Sequence, residues 1–205
     1  MAKLTPPHGK SQLNPLIVPE AEHSDVFTRA ERLPKVPLSS REISDLLMLG
    51  LGAYSPLTGF MGEADWRGCC LDMKTDDGLF WPIPITLSCE GDTAAGVTIG
   101  EEVALLDETD TIFGILEVKE KYTINKKFEC THVYRTADVA HAGVEKVMRQ
   151  GDINLAGPVV VLNEGHYSEK YPDLYYRPAE TRALFETLGW TTVAAFQTRN
   201  PMHRS

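Results

Sequence analysis

The sequence predicts an α+β protein, in which a compact domain of short strands is followed by the opening of an α/β unit. From about residue 74 to residue 163, short apolar runs alternate with turn residues, which is typical of a small β-barrel-like domain. Near the end of the chain, a helical pattern is followed by the apolar run Val193–Phe196, which lacks alternation. Such a run indicates a strand covered on both faces, as in a parallel sheet. We place the domain boundary between residues 168 and 169.

The composition is that of an ordinary globular chain. Its 205 residues and 22.7 kDa leave room for one domain and part of another. A hydrophobic content of 42%, a charged content of 24% and a mean hydropathy of −0.20 exclude wholesale disorder. Twenty basic residues against 29 acidic ones give a net charge of −9, which disfavours binding to nucleic acid or to an anionic membrane.

The chain lacks the patterns of a membrane or secreted protein. No apolar run approaches the roughly 20 residues of a membrane span, and residues 1–11 lack the apolar core of a signal peptide. We therefore expect a cytoplasmic protein. The four cysteines have neither C-x-x-C spacing nor a histidine cluster nearby, so we predict reduced, buried thiols and no metal site: Cys69, Cys70, Cys89 and Cys130.

Two helices are predicted early in the chain. The first 37 residues are rich in proline and polar side chains, and we expect them to cross the surface before regular structure begins. Ser39 and Glu42 have the spacing of a capping box, which opens a helix that ends at Gly50. A second helix is predicted to bury one side, formed by Trp66, Cys69, Cys70 and Met73.

The middle of the chain carries the strand signals. A hairpin-type turn is predicted at residues 76–78. The apolar runs 103–106 and 112–118 flank an acidic turn, which favours an antiparallel pair. A short helix is predicted at residues 143–149, and residues 158–162 form a continuous apolar strand.

The last predicted elements are one helix and one strand. Pro178 stands at a helix start, and Gly189 stands where a left-handed C-terminal cap is expected. The run Trp190–Phe196 is predicted as the strand that follows. One helix cannot cover both faces of a strand, so we expect its neighbours to come from residues after Ser205.

Polar residues at the end of the predicted strand form a candidate anion site. Ligands bind at the carboxyl ends of strands in open α/β sheets. Arg199 has the planar fork that matches a tetrahedral oxyanion, Gln197 adds amide donors and Thr198 adds a hydroxyl. Asn200 caps a helix that starts at the following proline, and His203 falls in its first turn, where helix amides and dipole favour an anion.

Each of these residues taken alone also has a purely structural interpretation. Arg199 alone is explained by a surface ion pair, Asn200 by a cap, and His203 by a half-buried helix position. A purely structural turn needs only the cap, so the group as a whole favours ligand binding. Elsewhere we interpret His141 as a locally satisfied helix-start residue, and we interpret the basic cluster as a solvated strand edge: Lys119, Lys121, Lys126 and Lys127.

The segment Phe196–Arg204, with the sequence F-Q-T-R-N-P-M-H-R, resembles the nucleotide-binding motif of the ATP sulfurylase (sulfate adenylyltransferase) family. The resemblance extends upstream through segments 55–61, 134–144 and 177–182, and thus covers nearly the whole chain. It implies a PUA-like β-barrel domain over residues 1–168 and the opening of a Rossmann-like nucleotidyltransferase domain over residues 169–205. The chain then represents the N-terminal half of a family member and ends inside the motif.

The resemblance also implies an activity and a set of roles. The reaction converts ATP and sulfate into adenosine 5′-phosphosulfate and pyrophosphate, or the reverse, with Mg²⁺ accompanying the nucleotide. Gln197 and Arg199 would bind sulfate, and ATP would be contacted by Gln197, Thr198, Arg199, Asn200 and His203. Thr198, Arg199 and Asn200 would be catalytic, and His203 would stabilise charge on the α-phosphate. The partners are these small molecules, and the full-length protein is expected to be a homo-oligomer.

Two departures from the family pattern keep alternatives open. The second histidine of H-x-x-H would follow Ser205, and the later G-R-D motif also lies beyond that residue. The alternative function is therefore a non-catalytic fragment or a shortened paralogue that acts as a PUA-like binding module. The direction of the reaction, consuming or producing ATP, is likewise left open.

Overall fold

The computed structural model describes residues 4–9 and 12–198 of the chain. Within them lie seven strands: β1 Lys35–Pro37, β2 Gly59–Phe60, β3 Leu87–Cys89, β4 Glu102–Leu106, β5 Ile112–Glu117, β6 Glu120–Thr123 and β7 Ile153–Val161. The same residues form eight helices: α1 Glu20–Ala30, α2 Ser40–Gly50, α3 Glu63–Asp72, α4 Gly91–Ala95, α5 Lys126–Val133, α6 Ala142–Arg149, α7 Tyr167–Lys170 and α8 Pro178–Thr187.

The strands form one mixed sheet that curls around β7. Its main path runs β1-β4-β5-β7-β2, in which β1 and β4 are parallel and the other pairs are antiparallel. The first half of β7 also pairs with β3 and β6 over residues 153–156, whereas its second half pairs with β2 and β5 over residues 157–161. Strand β7 changes its pairing partners at Gly157. The φ of Gly157 is 148°, a value that residues with a side chain rarely adopt. Gly157 therefore lets one strand serve two parts of the curled sheet.

The core fills the concave side of this sheet under α2. Its fully buried leucines come from the helix and from four strands: Leu46, Leu49, Leu87, Leu105, Leu116 and Leu155. Every buried apolar residue in the described ranges lies between Val18 and Leu162. The predicted α+β class and the barrel-like domain are thus confirmed by the architecture.

Local signals in the sequence identify most of the elements correctly. The capping box of α2 is present, since the Ser39 backbone N–H donates to Glu42 Oε2 at 2.9 Å. The other oxygen of that carboxylate accepts from the Ser88 backbone N–H at 2.8 Å, which joins α2 to β3. The predicted 103–106 and 112–118 pair is β4 with β5, and the predicted helix at 143–149 is α6.

Three predictions are wrong in detail. The first 37 residues contain α1 and β1; α1 was missed because Ala30 is its only buried residue, so it has almost no apolar stripe. The strand predicted at residues 158–162 begins earlier, as β7, because half of it is set by partners distant in sequence. Met73 does not face the core: it takes the left-handed conformation that ends α3, and its side chain is exposed.

No helix in residues 4–9 and 12–198 has the length and apolar character needed to cross a membrane.

Candidate functional site

Helix α8 leads the chain toward the predicted ligand segment. Its ends are those expected from the sequence, with Pro178 at the first helical position and Gly189 at a φ of 70° just after the last turn. The Gly189 backbone N–H donates to Glu186 O at 3.0 Å, and that of Trp190 donates to Phe185 O at 2.9 Å. These bonds close the helix and turn the chain away from its axis.

Residues 190–198 do not form the predicted strand. Val193 and Phe196, which were expected to be covered on both faces, are 46% and 80% exposed. A strand exists only where a neighbour accepts and donates its backbone hydrogen bonds. Among the described residues no strand lies beside this segment, so the apolar run has no partner strand and forms no ladder.

The structure places two of the five predicted site residues. Gln197 and Thr198 are exposed and lie in the extended segment after α8. Arg199, Asn200 and His203 lie outside the described residues. The structure therefore leaves the predicted grouping of these five side chains around one anion as a prediction.

An ion-pair network fixes the beginning of α8. Arg177 Nε donates to Glu164 Oε2 at 3.0 Å, and a terminal nitrogen of the same guanidinium bonds Glu164 Oε1, which makes the contact bidentate. Arg177 also contacts Glu180 Oε1 at 3.2 Å, and the Glu180 carboxylate accepts from the Arg177 backbone N–H at 2.7 Å. The hydrogen bond from Arg177 lowers the pKa of Glu164, although partial burial opposes it. The lowered pKa keeps Glu164 ionised, so its negative charge lies beside the start of α8.

An N-terminal arm, residues 4–9, contacts the middle of α8 and the segment that follows it. The backbone N–H and the Oγ1 of Thr5 both donate to Thr191 O, at 3.2 and 3.3 Å. Arg182 donates to Thr5 O at 2.6 Å. Two open cavities of about 360 and 430 Å³ flank this contact, and their lining includes Pro7, Leu13 and Arg182. The arm thus touches α8 and the segment that follows it without filling the space between them.

The remaining predicted residues have structural roles. His141 caps α6, since its Nδ1 accepts from the Gly143 and Val144 backbone N–H groups at 3.2 and 3.4 Å, which confirms the local interpretation. Two of the four lysines are not a solvated edge. Lys121 donates to the carbonyls of Ala94 and Val97, and Lys126 bonds the Gln150 carbonyl and Asp152. They were misjudged because the carbonyls they reach lie distant in sequence.

All four cysteines are free and buried, as predicted. Burial raises the pKa of Cys69 and of Cys70 to about 12, so both are protonated thiols near neutral pH. In the part of the chain that the structure describes, no three His, Cys, Asp or Glu side chains are placed to hold a metal ion.

Sequence reasoning missed the partners that fix α8. Pro178 predicts the start of the helix, but nothing in the sequence pairs Arg177 with Glu164, 13 residues earlier. The contact between Thr5 and Thr191 spans 186 residues. The signal at Pro178 predicts a helix start and not a tertiary contact.

Comparison with known proteins identifies both parts of the chain. A family model described as a PUA-like domain matches residues 5–164, and one described as ATP-sulfurylase matches residues 172–205. Proteins named sulfate adenylyltransferase are 52% identical in Thiobacillus denitrificans and 53% identical in Chlorobaculum tepidum, over 100% and 98% of this chain. The chain belongs to the ATP sulfurylase family. Its resemblance to that family is confirmed, and it corresponds to the N-terminal half of such sequences.

The chain also has a counterpart among solved structures. The structure described as a hexameric APS kinase from Thiobacillus denitrificans superposes with a TM-score of 0.75 and 32% identity. The match covers 98% of this chain and 35% of that one. The chain spans about half the length of the curated relatives it matches. The predicted PUA-like character of the first domain is confirmed by the family match.

Proposed function

We propose that the chain forms the PUA-like domain, residues 1–168, and the start of a Rossmann-like nucleotidyltransferase domain, residues 169–205, of a sulfate adenylyltransferase. The full protein would convert ATP and sulfate into adenosine 5′-phosphosulfate and pyrophosphate, reversibly. The observation that carries the proposal is identity of about half of all positions, over the whole chain, to proteins of that name. The Q-T-R-N-P-M-H segment at residues 197–203 supports it with suitable chemistry.

The residues of that segment have chemistry suited to two anionic substrates. Arg199 presents a planar fork to sulfate, and Gln197 adds neutral donors, so these two residues bind sulfate in the proposal. Gln197, Thr198, Arg199, Asn200 and His203 contact ATP. Thr198, Arg199 and Asn200 are the catalytic residues, and His203 stabilises charge that develops on the α-phosphate.

The reaction needs positioning and charge neutralisation more than a protein nucleophile. A sulfate oxygen attacks the α-phosphorus in line, a new S–O–P bridge forms, and the bond to the β-phosphate oxygen breaks to release pyrophosphate. Mg²⁺ enters as part of the ATP substrate, bound to its phosphate oxygens. Arg199 holds the attacking sulfate. Hydrogen-bond donors on Thr198 and Asn200 stabilise the negative charge that develops on the phosphoryl oxygens.

Pyrophosphate release from ATP and sulfate, measured on the full-length protein that contains this chain, tests the proposal. We expect Arg199→Ala to abolish nearly all turnover, and Arg199→Lys to rescue poorly because an ammonium cannot make a two-point contact. Arg149→Met is the matched control, since the exposed Arg149 pairs with Glu145 on the same helix, α6. Activity of Arg199→Ala within about tenfold of wild type, roughly 1.4 kcal/mol, would contradict the assignment.

We further propose that the full-length protein is a homo-oligomer and works in the cytoplasm. A relative of known structure is described as hexameric, and the reaction uses ATP. Light scattering coupled to size-exclusion chromatography tests the first statement, and cell fractionation tests the second. A monomer at micromolar concentration would contradict the oligomer.

A further inference from the structure

Helix α8 is held on the PUA-like domain by polar contacts and not by burial. None of its ten described residues is buried, and the apolar side chains of Leu184 and Leu188 are 43% and 50% exposed. The two cavities of about 360 and 430 Å³ beside the N-terminal arm leave little apolar packing on that side. Without a packed interface, the position of the helix depends on its few directional contacts.

The first of these contacts is Arg177 with Glu164, which lies three residues after the end of β7. The Leu162 and Asn163 backbone N–H groups both donate to Phe113 O in β5, at 2.8 and 3.2 Å. Glu164 therefore starts from a backbone fixed on the core. Its bidentate bond to Arg177 sets both the distance and the direction of the guanidinium, which stands directly before the first turn of α8.

The second contact is the N-terminal arm, which is also anchored on the domain. His8 bonds Phe80 O at 2.9 Å, and the Asn14 backbone N–H donates to Ser55 Oγ at 2.8 Å. From these anchors the arm carries Thr5 to Thr191 O and to Arg182. Thr5 lies in the range matched by the PUA-like model, whereas Thr191 and Arg182 lie in the range matched by the ATP-sulfurylase model. The arm therefore links the two parts of the chain.

We propose that Arg177 and Arg182 are positioning residues, which fix the start and the middle of α8 on the PUA-like domain. They thereby set where the segment after Gly189 begins and how it reaches Gln197 and Thr198. The statement about α8 stands on the contacts alone, and its consequence for the reaction rests on the proposed function. Neither arginine touches substrate in this proposal; both act through the path of the chain between α8 and the ligand segment.

Amide hydrogen exchange on the 205-residue chain tests the positioning of α8 without any assumption about activity. We expect Arg177→Met and Arg182→Met each to speed exchange at the Leu188 and Trp190 amides by about threefold or more, since each variant removes a partly exposed polar contact that contributes modestly to stability. The Leu105 and Leu116 amides of the sheet should be unaffected. Arg149→Met is the control, because it removes an arginine that pairs with a glutamate on α6. Unchanged exchange across α8 in both variants would overturn the proposal.

Exchanging the charges of Arg177 and Glu164 tests whether Arg177 acts through this specific ion pair or only through its charge. Arg177→Glu combined with Glu164→Arg restores an ion pair in the opposite sense. We expect the double variant to recover at least half of the protection that either single variant loses. Additive losses in the double variant would mean that Arg177 does not act through Glu164.

Steady-state kinetics on the full-length protein tests the consequence for the reaction. A misplaced ligand segment costs turnover because catalysis depends on near-attack geometry, so we expect Arg182→Met to lower kcat by about tenfold. The melting temperature should stay unchanged, and Arg182→Lys should recover part of kcat. If kcat and KM stay at wild-type values while exchange in α8 rises, the arginines hold the helix but do not position the site. If the wild-type protein releases no pyrophosphate, the proposed function fails, and hydrogen exchange alone decides the role of α8.

Discussion

Glu129 is a buried carboxylate whose hydrogen-bond partner is an indole. Its Oε2 accepts from Trp66 Nε1 at 2.6 Å, and the residue is 6% exposed. Among the described residues no ion pair reaches it. Burial raises the pKa of Glu129 above its usual range, against the opposing effects of the Trp66 bond and of Arg41. The folded state therefore holds the Glu129 proton more tightly than the unfolded state does.

This residue predicts a pH-dependent stability with a defined sign. Because its pKa is raised in the folded state, Glu129 contributes to the free energy of unfolding in full below the unfolded-state pKa. This contribution is lost as pH rises through the folded-state pKa. Glu129→Gln keeps an oxygen for the Trp66 N–H but carries no charge. We expect it to raise stability at pH 8 by about 1 kcal/mol, or roughly 2–4 °C in Tm, with a smaller gain at pH 5.

Thermal unfolding followed by circular dichroism at the two pH values measures this effect. Glu101→Gln is the matched control, because Glu101 is an exposed glutamate of the same chain. An equal change in Tm at pH 5 and pH 8 for Glu129→Gln would contradict the burial argument.

At the scale of the elements, β7 depends on one glycine. A Cβ at Gly157 would overlap the carbonyl oxygen of Glu117 and would approach Lys119 N to 3.1 Å, in addition to the strain of a positive φ. We expect Gly157→Ala to destabilise the protein by more than about 3 kcal/mol, measured by urea unfolding.

Gly100→Ala separates steric overlap from backbone strain as the cause of lost stability. Gly100 also has a positive φ, of 95°, but a Cβ there meets nothing within 4 Å. We expect it to cost about 1–2 kcal/mol, from backbone strain alone. Equal losses of stability in the two variants would show that overlap with Glu117 contributes nothing.

The elements that could be predicted from sequence are those whose cause is local. The Ser39 and Glu42 capping box, the hairpin of β4 with β5 and the Pro178 and Gly189 ends of α8 each depend on residues within a few positions. Strand β7 was only half predicted, and residues 190–196 form no strand among the described residues, because a strand is decided by its neighbours.

The same distinction between local and long-range causes applies to the candidate site. The motif at residues 197–203 was recognisable from sequence because its residue types carry their own chemistry. The contacts that lead the chain to it, Glu164 with Arg177 and Thr5 with Thr191, join residues far apart in sequence. No pattern in the sequence specifies such pairs, since many charged and polar residues could form them.

At the scale of the whole molecule, apolar surface is distributed unevenly. All buried apolar residues in residues 4–9 and 12–198 lie between Val18 and Leu162. Half of the exposed large apolar side chains lie in the shorter stretch 167–196: Tyr167, Tyr171, Leu174, Tyr176, Leu184, Leu188, Trp190, Val193 and Phe196. A concentration of this kind is typical of a surface that another part of a protein covers.

We therefore expect a chain that ends after Ser168 to fold with a Tm close to that of the 205-residue chain. The longer chain should bind the dye ANS and self-associate more strongly, because it alone carries the apolar stretch. Dye fluorescence and analytical ultracentrifugation on the two chains measure both effects. A shortened chain without a cooperative transition would contradict the predicted boundary between residues 168 and 169.

Because β7 pairs with four other strands, the sheet can be completed only late in protein synthesis. A ribosome makes the chain from its N-terminus, and β7 is the last of the seven described strands to leave it. Strands β2, β3 and β6 have their ladder bonds with β7, so those bonds cannot form while residues 153–161 are still inside the ribosome. Only β1, β4 and β5 can pair before then. The nascent chain therefore exposes the edges of three strands until one late segment emerges, and that segment completes the sheet around itself.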